Sequence, residues 1–269
     1  MKIVMTYLTG IMMAMSLILQ VGKSGALGQL GNPRSSYELG SAVSLKGRNL
    51  LVSLFVDTPE KQWTKEEQRE ALAMLKIAED YIEEQAKAFG VSVDLITDCE
   101  EDERLFFETK IDYDMDDSEE AEERLDESIA EWVEQLIDYD ALCEEFDAQG
   151  IATLIYFNQG GRAYAICYDG IDNPKETLIM YSGETPAVYA HEILHLFGAH
   201  DLYRGAEYTD DACAYVKERY PMELMITVSD HNGRENPKAI ENVISPLTAY
   251  HLGWCEAPEE IERFPQFER

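Results

Sequence analysis

The stretch "ETLIMYSGETPAVYAHEILHLFGAHDLY", residues 176–203, passes from strand to helix to helix stop with little between them. Residues 176–183 form a short apolar run ended by Ser182-Gly183, which reads as a buried strand. Thr185 and Pro186 then give a helix start, a capping residue followed by a proline whose fixed φ suits the first turn. The helix carries His191, Glu192 and His195 on an otherwise apolar body. Gly198 provides the left-handed residue at which such a helix turns back.

Outward from this unit the same alternation recurs. "NLLVSLFVDTP" (49–59) is a β-rich run ended by Pro59. Thr64 and Glu67 form a capping box. After it Ala71, Met74, Leu75, Ala78, Tyr81, Ile82, Ala86 and Phe89 recur at helical spacing until Gly90. "VSVDLIT" (91–97) is a second strand, and "RLFFETKIDYD" (104–114) is an excursion or another strand. A second amphipathic helix is expected from about Ser118 to Phe146, with Leu125, Ile129, Trp132, Leu136 and Ile137 on one face. "IATLIYFNQ" (151–159) reads as a buried strand. "GGRAYAICYDG" (160–170) reads as its hairpin return, with Gly160-Gly161 at the turn. The resulting order predicts an α/β fold with a mixed, mostly parallel twisted sheet and one antiparallel edge strand.

At 269 residues and 45% hydrophobic content the chain can bury one full core. Its formal charge of −31 argues against nucleic acid and anionic membrane surfaces as partners. Residues 1–26, with Lys2 before a long uncharged run and a small-x-small pattern at Ser24 and Ala26, read as a signal peptide or a membrane anchor. That makes the expected location secreted or extracellular, with the membrane reached only through such an anchor. Residues 27–47 are rich in Gly and Ser and read as a linker, leaving 48–269 as the domain. Cys99, Cys143, Cys167, Cys213 and Cys255 show no C-x-x-C spacing, so a cysteine zinc site is improbable. Export permits disulfides, and Cys213 and Cys255 are candidates to staple the region after the H-E-x-x-H helix.

Positions i and i+4 share a helix face, so His191 and His195 can aim both imidazoles at one metal ion. Glu192 beside them can take a proton from a water on that ion, whose pKa zinc lowers towards neutrality. H-E-x-x-H alone is a short pattern. Here, however, two histidines and a glutamate sit on an apolar helix, where they would be costly without partners. The third ligand is the open question: His200, Asp201, or a glutamate from a later helix such as Glu241. In the extended pattern H-E-x-x-H-x-x-G-x-x-H the ligand falls three residues after the glycine. Counted from Gly198, that position is Asp201, and His200 is one short.

"HEILHLFGAHD" resembles the metzincin zinc peptidases in the variant with aspartate as third ligand. Together with Asp201-Leu202-Tyr203, Glu223-Leu224-Met225 and Leu252-Gly253-Trp254, it is similar to the immune-inhibitor-A-like secreted metallopeptidases. The matched stretches cover about residues 186–254. The resemblance implies a zincin-like fold, with an upper subdomain to about residue 198, an active-site helix, and an irregular C-terminal subdomain over 199–269. It also implies one catalytic Zn2+ held by His191, His195 and Asp201, with Glu192 as general base. Met225 would be the Met-turn residue, an apolar floor under the metal, with Met222 the nearest competitor. The chain departs from the family pattern at His200 and Glu223.

The expected activity is zinc-dependent endopeptidase action on extracellular proteins or peptides. The rival readings are a catalytically silent surface binding protein and a zinc hydrolase of a non-peptide amide. Tyr203, Tyr208, Tyr250 and His231 are candidate transition-state donors among which the sequence does not choose. His200, His231 and His251 are read first as surface or supporting residues, although His251, in the L-G-W segment, can also approach the cleft. Calcium is a weaker cofactor candidate. "DYDMDDSEEAEE" (112–123) places Asp112, Asp114, Asp116 and Glu123 at loop-like offsets, but Asp117 stands where the sharp turn needs glycine. An acidic helix start explains that segment better.

Overall fold

Alternate side chains of the strand Gly47–Asp57 (β1) face two different cores. Leu51 and Phe55 point to one side, and Leu50, Val52, Leu54 and Val56 to the other. The strand Gly150–Phe157 (β4) is buried along its whole length and divides in the same way. A strand apolar on both faces must be covered on both, which parallel sheets achieve with helices. The computed structural model describes residues 41–97, 103–113, 119–167, 175–206 and 208–268.

The helix Lys65–Ala88 (α1) starts with the expected capping box, in which Thr64 and Glu67 hydrogen-bond each other's backbone amides. It ends at Phe89, with Gly90 left-handed at φ 75°. The strand Val93–Ile96 (β2) and then Phe106–Lys110 (β3) pair in parallel with successive halves of one edge of β1. On the other edge β1 pairs in parallel with β4, and β4 with Thr177–Tyr181 (β6). The short strand Tyr164–Ile166 (β5) closes the sheet antiparallel to β6, giving the order β2-β1-β4-β6-β5. The expected mixed, mostly parallel sheet with one antiparallel edge is therefore present.

Three expectations are corrected. β5 does not return along β4, because β6 lies between them. Leu178, Ile179 and Met180 of β6 are fully buried and suit an inner position, whereas β5 exposes Tyr164 and suits an edge. The helix expected over 118–146 is two helices, Glu119–Gln135 (α2) and Tyr139–Phe146 (α3). Asp138 separates them by accepting the Ala141 amide as the cap of α3. Leu136, at the break, is exposed rather than on the apolar face. Finally, Cys213 and Cys255 are free thiols that donate to the Tyr203 and Pro246 carbonyls, so no staple joins them.

The helix Pro186–Leu196 (α4) packs with α1 on one face of the sheet, while α2 and α3 cover the other. The chain continues through Asp210–Arg219 (α5), Pro246–His251 (α6) and Glu259–Arg263 (α7). Residues 41–46, which fall in the compositional linker, are folded in. Ala42 and Leu45 are fully buried, and Trp254 donates its indole N–H to the Leu45 carbonyl at 2.8 Å. Residues 1–40, Cys99, Asp114 and Asp116 lie outside the described residues. Asp112 pairs with Arg124 at 3.0 Å. Among the described residues no helix is long and apolar enough to cross a membrane.

Candidate metal centre

Thr185 occupies the N-cap position of α4 in extended backbone, as expected, but its side chain does not cap. Its hydroxyl is 3.3 Å from Glu235 instead. At the other end the expected glycine turn forms. Gly198 has φ 99°, its amide donates to the His195 carbonyl, and the Ala199 amide reaches back to Leu194. This is the Schellman pattern of a helix stopped by a left-handed residue. The reversal returns the chain beneath the helix, so that Asp201 meets the two histidines above it.

The imidazoles of His191 and His195 stand edge-on, with centroids 4.8 Å apart and planes at 86°. Each Nδ1 is engaged by a backbone carbonyl: that of Leu224 for His191, at 3.0 Å, and that of Ala199 for His195, at 2.8 Å. Carbonyls only accept, so both Nδ1 atoms carry hydrogen and both Nε2 atoms point inward. The Nε2 atoms are 3.2 Å apart, and Asp201 Oδ1 lies 3.2 and 3.3 Å from them. Despite that proximity, Oδ1 is buried without a hydrogen bond of acceptable angle, while Oδ2 accepts the Tyr203 hydroxyl at 2.7 Å. Three atoms thus face a common centre. A tetrahedral ion with ligands at ~2.0–2.1 Å spaces them by ~3.3–3.4 Å, which the observed triangle matches. His191, His195 and Asp201 can therefore hold a metal ion, and they are the one such group among the described residues.

The electrostatics fit a cation. Burial alone would raise the Asp201 pKa, but the close approach of the His191 and His195 imidazoles holds it well below the usual carboxylate range. Burial disfavours charging His195, yet Asp201 and Glu192 beside it lift its pKa to about 9. Burial pushes the Glu192 carboxyl up, partly offset by His191, His195 and the Arg162 guanidinium. Glu184, just ahead of α4, is pushed to about 7, mainly by burial, although the Ala163 amide donates to it.

The other candidates separate clearly. His200 is buried, with its ring 5.1 Å from that of His251 and 6.0 Å from that of Tyr208. His251 is itself buried, with Nε2 3.0 Å from the Phe267 carbonyl. Tyr208 stacks edge-on with Phe267, and Tyr250 is buried on α6. His231 is exposed in a turn. Glu241 is exposed on a loop, where it accepts a hydrogen bond from Asn236. Met225 is fully buried and Met222 is not. Of the candidate donors, Tyr203 bonds a member of the triad directly.

Three contributors had no sequence signal as site residues. Leu224 and Ala199 act through their carbonyls, which any residue offers. Arg162, exposed just ahead of β5, lowers the pKa of both Glu192 and Tyr203 with its charge, an encounter made by folding alone.

Fold and site together define a mixed α/β chain whose fourth helix carries two histidines that an aspartate completes into a group able to hold a metal ion. No family model matches the chain, and no curated protein matches it. Among solved structures it is similar in shape to wild-type OgpA from Akkermansia muciniphila, with a TM-score of 0.42 and 10% identity over 81% of this chain. It is also similar to metalloproteinase-II from Bacteroides fragilis, with a TM-score of 0.38 and 13% identity over 84% of this chain. The matches span 63% and 61% of those two chains, less than two thirds of either. Likeness at this distance assigns no activity.

Proposed function

We propose that this chain is a zinc-dependent endopeptidase that hydrolyses peptide bonds of extracellular proteins, with His191, His195 and Asp201 as zinc ligands and Glu192 as general base. The observation that carries the reading is the convergence of three lone-pair atoms at tetrahedral spacing, with the Glu192 carboxylate beside them. Bound zinc supplies the Lewis acidity that polarises a scissile carbonyl and makes water acidic enough to be deprotonated near neutral pH. Glu192 takes that proton and returns it to the departing amine. Its burial-raised pKa suits a group that must both accept and release a proton. Tyr203 holds Asp201 through its hydroxyl. The substrate backbone lies extended against the outer edge of β5 (Tyr164–Ile166), added as a further strand. The hydrophobic segment at residues 1–26 supports export.

The test is to purify the protein, measure its zinc content, and assay casein and a peptide library beside Glu192→Ala. The expected result is equal zinc in both proteins and at least ~10²-fold slower cleavage by the variant. Zinc bound by both with no cleavage by either would sink the peptidase reading and leave a binding module. Equal cleavage by both would remove Glu192 from the mechanism.

A further inference from the structure

One side chain of the metal-binding group, and the backbone next to another, lean on one short turn. The Leu224 carbonyl engages His191 Nδ1 at 3.0 Å. The Met225 carbonyl accepts the amide of Leu202, the residue after Asp201, at 2.9 Å. The turn itself has little regular structure. Glu223 makes an isolated parallel bridge with Val243, and the Glu223 carbonyl receives the Ile226 and Thr227 amides.

Within this turn one ionisable side chain is wholly inside the protein. Glu223 is 0% exposed. Its Oε2 accepts the Met225 amide. Its Oε1 accepts the Thr248 hydroxyl at 2.5 Å, the Ser245 amide at 3.2 Å and the Ser245 hydroxyl at 3.3 Å. All four partners are donors, and Ser245 Oγ meanwhile accepts the Thr248 amide as the cap of α6. The two amides can only donate, so both carboxyl oxygens serve as acceptors, Oε2 for Met225 and Oε1 for Ser245. Burial pushes the Glu223 carboxyl up, and the hydrogen bonds from Thr248, Ser245 and Met225 offset part of that. A buried carboxyl with this set of partners is a fixed strut between the turn and the start of α6, and removing its acceptors leaves donors stranded.

We propose that Glu223 is the positioning residue of the metal centre: its carboxylate fixes the turn at Met225, and through the Leu224 and Met225 carbonyls that turn sets His191 and the backbone at Asp201. This rests on the zinc reading above but not on the reaction that zinc serves. Outer partners of metal ligands of this kind are typically worth about 10–100-fold in metal affinity.

The substitution Glu223→Gln discriminates. The amide oxygen can replace only one of the two carboxylate oxygens. If it takes the three donors from α6, the NH2 group faces the Met225 amide, donor against donor, at the point where the turn supports Leu202. Zinc affinity of the full-length protein is measured by competition with a chromophoric chelator, and thermal unfolding of the same metal-free samples is followed in parallel. Glu223→Gln is expected to bind zinc about 10–100-fold more weakly, while Glu223→Asp, which keeps both acceptors, recovers to within about tenfold of wild type. A purely architectural role would lower the metal-free melting temperature and leave the affinity of the folded protein unchanged, and that result overturns the proposal. If Glu223→Gln does not fold, Thr248→Val decides. It removes a single donor, and folded protein with wild-type zinc affinity would equally overturn the proposal. A wild-type protein that binds no zinc would remove the metal reading itself, and this inference with it. Zinc binding without proteolysis would count against the peptidase reading alone.

Discussion

Tyr203→Phe separates two roles that the tyrosine could play. Its hydroxyl donates to Asp201 Oδ2 at 2.7 Å, a short bond to an ionised acceptor. The residue is half-buried, and both burial and the bond to Asp201 push its pKa up, so it remains a donor throughout the working pH range. Losing such a partner of a ligating carboxylate costs 10–100-fold in metal affinity. Water can reach the vacated position in part, so the low end applies: about tenfold, or ~1.4 kcal/mol. The assay is a chelator-competition titration with zinc, followed by steady-state kinetics at saturating zinc. If Tyr203 acts by holding Asp201, zinc affinity falls about tenfold, and activity with the site filled stays within a fewfold of wild type. If Tyr203 instead donates to the transition state, affinity is unchanged and kcat falls by about 10²–10³. The second pattern would refute the reasoning.

Further tests follow from Glu184 and the sheet edge. Glu184 has a folded pKa of about 7 against an ordinary 4.5, so the native state binds its proton more tightly than the unfolded chain. Its stabilising contribution is complete below pH 4.5 and is lost as pH rises through 7. Glu184→Gln should flatten the melting temperature of the metal-free protein across that window and leave it more stable than wild type at pH 8. An unchanged pH profile would count against the assignment. Gly161→Ala would place a methyl 2.5 Å from the Tyr181 ring, whereas a methyl on Gly160 meets nothing within 4 Å. The first should cost about 1–3 kcal/mol in urea unfolding and the second less than about 0.5 kcal/mol. Equal effects would show that the chain ahead of β5 does not press on β6.

The parts of this molecule that could be read in advance are those written locally. Thr64 and Glu67 announce the start of α1 because both halves of the cap lie within one turn. Gly198 announces the reversal after α4, and its three-residue count reaches Asp201, because the pattern spans only eleven positions. The misreadings concern encounters across the chain. β5 was expected to fold back on β4, but the fully apolar β6 takes the inner place. Asp138 and Tyr139 sit inside a stretch of helical periodicity, yet Asp138 caps a new helix and Tyr139 hydrogen-bonds Thr153 of β4. Thr185 has the right type and position for a cap, and its hydroxyl is turned to Glu235, fifty residues later. Glu223 showed only as a departure from a familiar motif. Its four donors come from its own turn and from a helix more than twenty residues on, which periodicity does not register.

The folded start of the domain sets how far the chain can be trimmed. Ser41 donates its hydroxyl to Glu176 Oε2 at 2.6 Å, the Ala42 amide donates to the same oxygen at 2.8 Å, and the Ser41 carbonyl accepts the first amide after Gly150. Glu176 is 0% exposed. A protease that cut ahead of Ser41 would leave these bonds untouched. One that cut a few residues later would strand a buried carboxylate beside β6, the strand that leads into α4. Trimming that spares this anchor therefore has to stop ahead of Ser41, because the same two residues hold both Glu176 and the start of β4.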